Sequence, residues 1–130
     1  MKPKNVVAIV IVAILLLNFV PIQAHARANP KINQASILLT SSMTAYFSCA
    51  TSGDFDISVS SVTLEVKNNN GTWSFVKNLS APASASNVSS YNKAVDYSSS
   101  CTKGKTYRIK AVFNASGESV NRTSAEKTYN

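Results

Sequence analysis

Cys49 and Cys101 are the only two thiols in the chain, and His25 is its only histidine. A thiol can attack as a nucleophile, ligate a metal or form a disulfide. The first two roles usually need an imidazole or further ligands close by. His25 falls inside a run that reads as a leader, so the remaining domain has no histidine. It therefore cannot build a Ser-His-Asp or Cys-His arrangement, nor a histidine-ligated zinc site. That leaves the disulfide. An even pair in an exported chain points to one bridge. Closing a loop of about 50 residues would contribute roughly 4 kcal/mol in the chain-entropy model. The alternative is two separate thiols, because Cys49 lies late in one strand and Cys101 lies in a turn before another. A bridge needs Cα atoms within about 7 Å.

The basic side chains form the second constellation. Lys93, Lys103, Lys105, Arg108 and Lys110 are opposed only by Asp96 in their stretch of sequence. Such a cluster is a candidate anion-binding patch for cell-wall polymers, glycosaminoglycans or lipid headgroups. Strand alternation alone also explains Arg108 and Lys110 as a solvated sheet face, with lysines discouraging edge pairing. Asp54 and Asp56 stand two apart after Gly53. Calcium needs six or more oxygens, so a solvated turn is the better reading and no metal site is assigned. Trp73, Phe75, Tyr46, Tyr91, Tyr97 and Tyr107 could form a carbohydrate platform. Aromatics at strand spacing more often serve the core. No catalytic residues and no cofactor emerge, and the expectation is a protein that is not an enzyme.

These side chains depend on where the chain resides. Lys2 and Lys4 precede an unbroken apolar run from Val6 to Leu17, and Pro21 follows. The run is shorter than the roughly 20 residues a spanning helix needs. Ala24-His25-Ala26 and Ala26-Arg27-Ala28 fit the small-x-small pattern of a signal-peptide cleavage site. The expected organisation is a helical signal peptide over residues 1–28, cleaved after Ala26 or Ala28, and a single domain over 29–130. The product is expected to be secreted and extracellular, without a stable membrane anchor. The formal charge of +7 also changes. From Asn29 onward ten bases face six acids, a balance of +4. Export, and the lack of a recognised reader motif among the basic residues, argue against nucleic acid.

The remaining chain alternates at strand period. Ala45, Phe47 and Cys49 alternate with Thr44, Tyr46 and Ser48; Val62, Leu64 and Val66 alternate with Thr63, Glu65 and Lys67. Asn70-Gly71 signals a hairpin leading into Thr72–Lys77. Asn78 to Ser90 is rich in Ser and Ala and reads as a loop, followed by strands over Tyr91–Tyr97, Thr106–Asn114 and Ser119–Tyr129. With Ser36–Thr40, these make about seven short strands, which predicts an all-β antiparallel sandwich.

The segment from Tyr107 through Ile109, Ala111, Phe113 and Gly117 resembles the penultimate strand and final hairpin of fibronectin type III and related immunoglobulin-like domains. The wider span from Ile57 to Thr128, with Val62–Lys67 and Gly71-Thr72-Trp73, is similar to a family of small secreted Gram-positive bacterial proteins of no assigned activity. That resemblance implies an immunoglobulin-like β-sandwich and an exported bacterial protein, but no site residues. The expected function is non-enzymatic binding or surface interaction, with an anionic cell-wall or surface polymer or another protein as partner. The alternative is a small secreted effector, bacteriocin-like or toxin-like, acting on a cell envelope.

Overall fold

The structure is a computed structural model, and it describes residues 30–130. The expected leader lies outside the described residues. Seven strands follow one another: β1 (Ile32–Leu39), β2 (Thr44–Lys67), β3 (Trp73–Asn78), β4 (Ala85–Asp96), β5 (Thr106–Ala115), β6 (Glu118–Thr123) and β7 (Lys127–Thr128). A single 3-10 turn, Ser98–Ser100, lies between β4 and β5. No helix among the described residues is long and apolar enough to cross a membrane.

All pairings are antiparallel, and four of the six involve β2. Its first part lies between β1 and β4, through Leu38↔Tyr46↔Ala94 and Ser36↔Ser48↔Asn92. Its last part lies between β3 and β5, through Phe75↔Glu65↔Arg108. Ile57 is the crossover point, with Ala85 of β4 on one side and Ala115 of β5 on the other. β6 and the short β7 extend the far side of β5. The result is one seven-stranded sheet, curled around a single core.

A 24-residue strand can serve both halves because it is bent. Ala45, Phe47, Cys49, Ile57 and Val59 are buried at odd positions, then Val62 and Leu64 at even ones. Ser61 supplies the switch. Its φ of 52° is left-handed, and the β2–β5 register shifts between Ser60 and Thr63. One extra residue in one strand bends it and reverses which side faces inward. The segment Gly53–Asp56, expected as a turn, lies inside β2 instead. Irregular pairing between Ala50 and Ile57 accommodates it, and the Asn87 amide donates to Asp56 Oδ1 at 3.0 Å. Likewise, the expected loop over residues 78–90 shortens, because β4 begins at Ala85.

The core joins both halves. Phe47 meets Tyr97 edge-on at 6.5 Å between ring centroids and Phe113 at 6.3 Å. β1 lies against the β5–β6 hairpin: Arg122 Nε donates to the Ala35 carbonyl at 2.9 Å, and the Lys31 amide to Glu118 Oε2 at 2.7 Å. On the opposite flank, residues 79–84 are tied down by β4 and the residue that follows it. Tyr97 Oη donates to the Ser80 carbonyl at 2.6 Å, and Tyr91 Oη to the Ala83 carbonyl at 2.7 Å. Among the described residues, no buried side-chain polar atom lacks a partner.

The hairpin turns follow local chemistry. At Asn68–Thr72 only Gly71 takes a positive φ, 84°, and the Asn68 amide donates to the Thr72 carbonyl at 2.7 Å. This is a type I turn closed by a left-handed glycine rather than a two-residue Asn-Gly turn. At the β5–β6 turn Ser116 and Gly117 both have positive φ, the two-residue arrangement that matches strand twist.

Candidate functional site

Cys49 and Cys101 are not bonded, which corrects the expected disulfide. The strand register supplies the reason. Cys101 follows the Ser98–Ser100 turn just beyond the end of β4, and Asp96 at that end pairs with Thr44 at the start of β2. Cys49 lies five residues further along the same strand, about 17 Å at the usual rise. Cys49 therefore faces the middle of β4, at Tyr91, while Cys101 lies beyond its end, and a bridge needs Cα atoms within about 7 Å. Cys49 packs in the core beside Tyr91, its register partner. Burial raises its pKa. Burial, and then the Asp96 charge, push Cys101 up to about 11. Both groups are therefore thiols at neutral pH, and a thiol is a weak nucleophile.

The basic cluster is divided. Lys93 is half-buried on β4, with Phe47 as its register partner, and stands apart from the others. Lys103 and Lys105 are exposed in the turn before β5. The Lys103 ammonium sits 5.7 Å from the Tyr129 ring centroid. Arg108 and Lys110 share the outward side of β5, because Tyr107, Ile109 and Ala111 point into the core. Lys110 pairs with Thr63 and Thr123 and is exposed. The fold adds a lysine from outside the cluster. Lys67 of β2 and Lys105 line one open groove of about 570 Å³ with Asn68, Asn69 and Gly104. Lys67 also pairs with Glu126 at 3.0 Å, an exposed contact worth at most about 1 kcal/mol.

The outward face of β3–β2–β5 carries the most ordered charge. Arg108 Nε donates to Glu65 Oε1 at 2.6 Å, with side chains 27% and 18% exposed. The Arg108 guanidinium carbon sits 4.2 Å from the Trp73 ring centroid. Three strands create this contact. Glu65 faces Arg108 directly across β2 and β5, while Trp73 faces Lys67, the next outward residue of β2. Phe75 pairs with Glu65 on the other side and is 61% exposed.

The aromatic residues therefore separate. Tyr91, Tyr97 and Tyr107 are buried and cannot form a carbohydrate platform. Their hydroxyls hold loops; Tyr107 Oη accepts from the Thr102 amide at 2.8 Å. Tyr46 is 45% exposed on the opposite half, across from Leu38. Asp54 and Asp56 gather no further acids, and among the described residues no group of three or more His, Cys, Asp or Glu side chains could hold a metal ion. The Asp96 carboxylate is held below its usual range, first by the Ser98 amide and then by the Ser98 hydroxyl. Sequence reading picked out Arg108 but paired it with lysines. Its partners Glu65 and Trp73 are 43 and 35 positions away, and only strand register brings them together.

Comparison with protein-family models, with curated proteins and with solved structures finds no match in any of the three.

Proposed function

We propose that the chain is a secreted, non-enzymatic binding module with an immunoglobulin-like β-sandwich architecture, and that it engages an anionic surface polymer. The observation that carries this reading is the convergence of Lys67 and Lys105 on one open groove, with Lys103 two residues away. Two lysines from separate elements at a shared concavity concentrate positive potential where a polyanion can lie. The weak Lys67–Glu126 pair can exchange its carboxylate for a polymer's anion.

Three further features support the architecture and location. A bent strand shared between two packed layers is a recognised way to turn the corner of a β-sandwich. The Tyr107 hydroxyl bonding to the backbone five residues upstream follows the tyrosine-corner arrangement of immunoglobulin-like domains. Export rests on the positive start, apolar run and small-x-small sites of the first 28 residues.

The test is chromatography of the protein on immobilised heparin and on purified wall polymer, eluted with a salt gradient. Retention should fall with ionic strength. The double charge reversal Lys103→Glu with Lys105→Glu should elute at clearly lower salt. Unchanged elution of that variant overturns the proposal.

A further inference from the structure

Phe75 is the most exposed of the large apolar side chains in the described residues, at 61%. It lies on the edge strand β3, beside Val76, itself 37% exposed. A phenyl ring in water on a sheet face forgoes the burial energy that aromatic residues normally supply. Phe75 is also one register step from an organised cation. Glu65, its pair on β2, holds Arg108 Nε at 2.6 Å, and the indole of Trp73 lies against the guanidinium at 4.2 Å. A cation over an indole face is held by the ring quadrupole. Among the described residues, the terminal N–H groups of Arg108 meet no protein acceptor. The result is a fixed donor fork of the geometry that carboxylates and sulfates accept. Lys110 adds a second exposed cation two residues along the same side of β5. Three cations, Lys67, Arg108 and Lys110, thus share this face with two carboxylates, Glu65 beside Arg108 and Glu126 beside Lys67.

We infer that the outer face of β3–β2–β5 is a binding surface for an acidic glycan. Phe75 stacks against the apolar face of one sugar ring, and Arg108 with Lys110 takes the carboxylate or sulfate of a neighbouring sugar. The inference rests on the anionic-polymer reading and narrows it. The backbones of Phe75 and Arg108 are two interstrand spacings apart, about 10 Å, but the guanidinium reaches back over β2 to Trp73, two residues along β3 from Phe75. A sugar-free polyanion would use the cations and leave Phe75 unoccupied, so charge complementarity and the exposed ring together specify the occupant.

The experiment compares binding of the protein to an oligogalacturonate and to inorganic polyphosphate of matched charge, by titration calorimetry at fixed salt. The oligogalacturonate should bind more tightly. Phe75→Ala should weaken it about tenfold and leave polyphosphate binding unchanged. Because Phe75 is exposed, this variant should keep the parent unfolding midpoint, checked on the same sample. Arg108→Lys keeps the charge, loses the fork, and should weaken oligogalacturonate more than polyphosphate. Polyphosphate binding without oligogalacturonate binding, or oligogalacturonate binding indifferent to Phe75→Ala, overturns the glycan surface and leaves the anionic-polymer function standing. Binding to neither probe overturns both.

Discussion

The two outward faces of the sheet are built on the same strand yet differ in chemistry. On the β1–β2–β4 half, the rows Gln34–Ala50–Ser90, Ser36–Ser48–Asn92 and Leu38–Tyr46–Ala94 contain no charged side chain. On the β3–β2–β5 half, Phe75–Glu65–Arg108 and Thr63–Lys110 place an ion pair, an aromatic ring and an exposed cation side by side. The inward sides are alike: Ala45 and Phe47 in one half do what Val62 and Leu64 do in the other. Core burial constrains only one side of each strand, so the other is free to diverge. The largely neutral half offers small polar groups, the apolar pair Leu38 and Tyr46, and a single carboxylate, Asp96, in its last row. The charged half offers directed donors held in place by neighbours, the stronger basis for recognising a charged partner.

Breaking the shared core should have the largest effect. Phe47→Ala removes the ring that touches both Tyr97 and Phe113 and should cost about 3–5 kcal/mol, read from denaturant unfolding. Both halves should be lost in one transition. Two separate transitions would show that the halves are independent units.

Next is the strap on the β4 flank. Tyr97→Phe leaves the Ser80 carbonyl without its donor and should cost about 1–2 kcal/mol. The same hydroxyl predicts a pH dependence. Burial, with the neighbouring Tyr91, raises the Tyr97 pKa from 10.0 to about 12. A raised folded-state pKa means that folding favours the protonated form. The stabilisation is complete below pH 10 and is lost as pH rises through about 12. Cys101, raised from 9.0 to about 11, adds a loss that begins lower. Thermal melts between pH 8 and 12 should show Tm falling from about pH 9 upward, and Tyr97→Phe should flatten the upper part of the fall. A flat Tm across this range would refute both assignments.

The charged face itself should respond less. Glu65→Gln weakens the carboxylate's hold on Arg108 and should cost about 1 kcal/mol, because the pair is only partly buried. Added salt should lower the parent's stability more than the variant's. Equal salt sensitivity would mean that the pair contributes nothing. Smallest of all, Tyr46→Thr and Leu38→Thr on the neutral face should each change stability by about 0.5 kcal/mol or less. A loss well beyond that would show that the neutral face is held by contacts as firmly as the charged one.

Much of the fold is legible because alternation records which side of a strand is buried. Tyr107, Ile109, Ala111 and Phe113 mark β5 directly, and Val62, Leu64 and Val66 mark the end of β2. The continuity of β2 is not legible. Gly53, Asp54 and Asp56 carry turn signals, and only pairing with β4 holds them extended. The bend at Ser61 leaves a trace, the three-residue step from Val59 to Val62, but a step alone does not distinguish a bulge from a strand end. Of the candidate site, Arg108 and the lysines are visible as charges, whereas their division into a groove and a face is not.

Local residue type and period were enough to read the inward side of the alternating segments in β2 and β5, the positions of the Asn68–Thr72 and Ser116–Gly117 turns and the positive balance of the chain. Tertiary structure decided which side chains meet. It left Cys49 and Cys101 unbonded, one within β2 and the other after the turn that follows β4, and turned Tyr91 and Tyr97 inward to hold a loop. It brought Glu65, Trp73 and Arg108 together from three strands. The physical reason is register. Contacts between strands depend on how far each slides along its neighbour, and bulges such as Ser61 set that slide only when the whole sheet closes on its core.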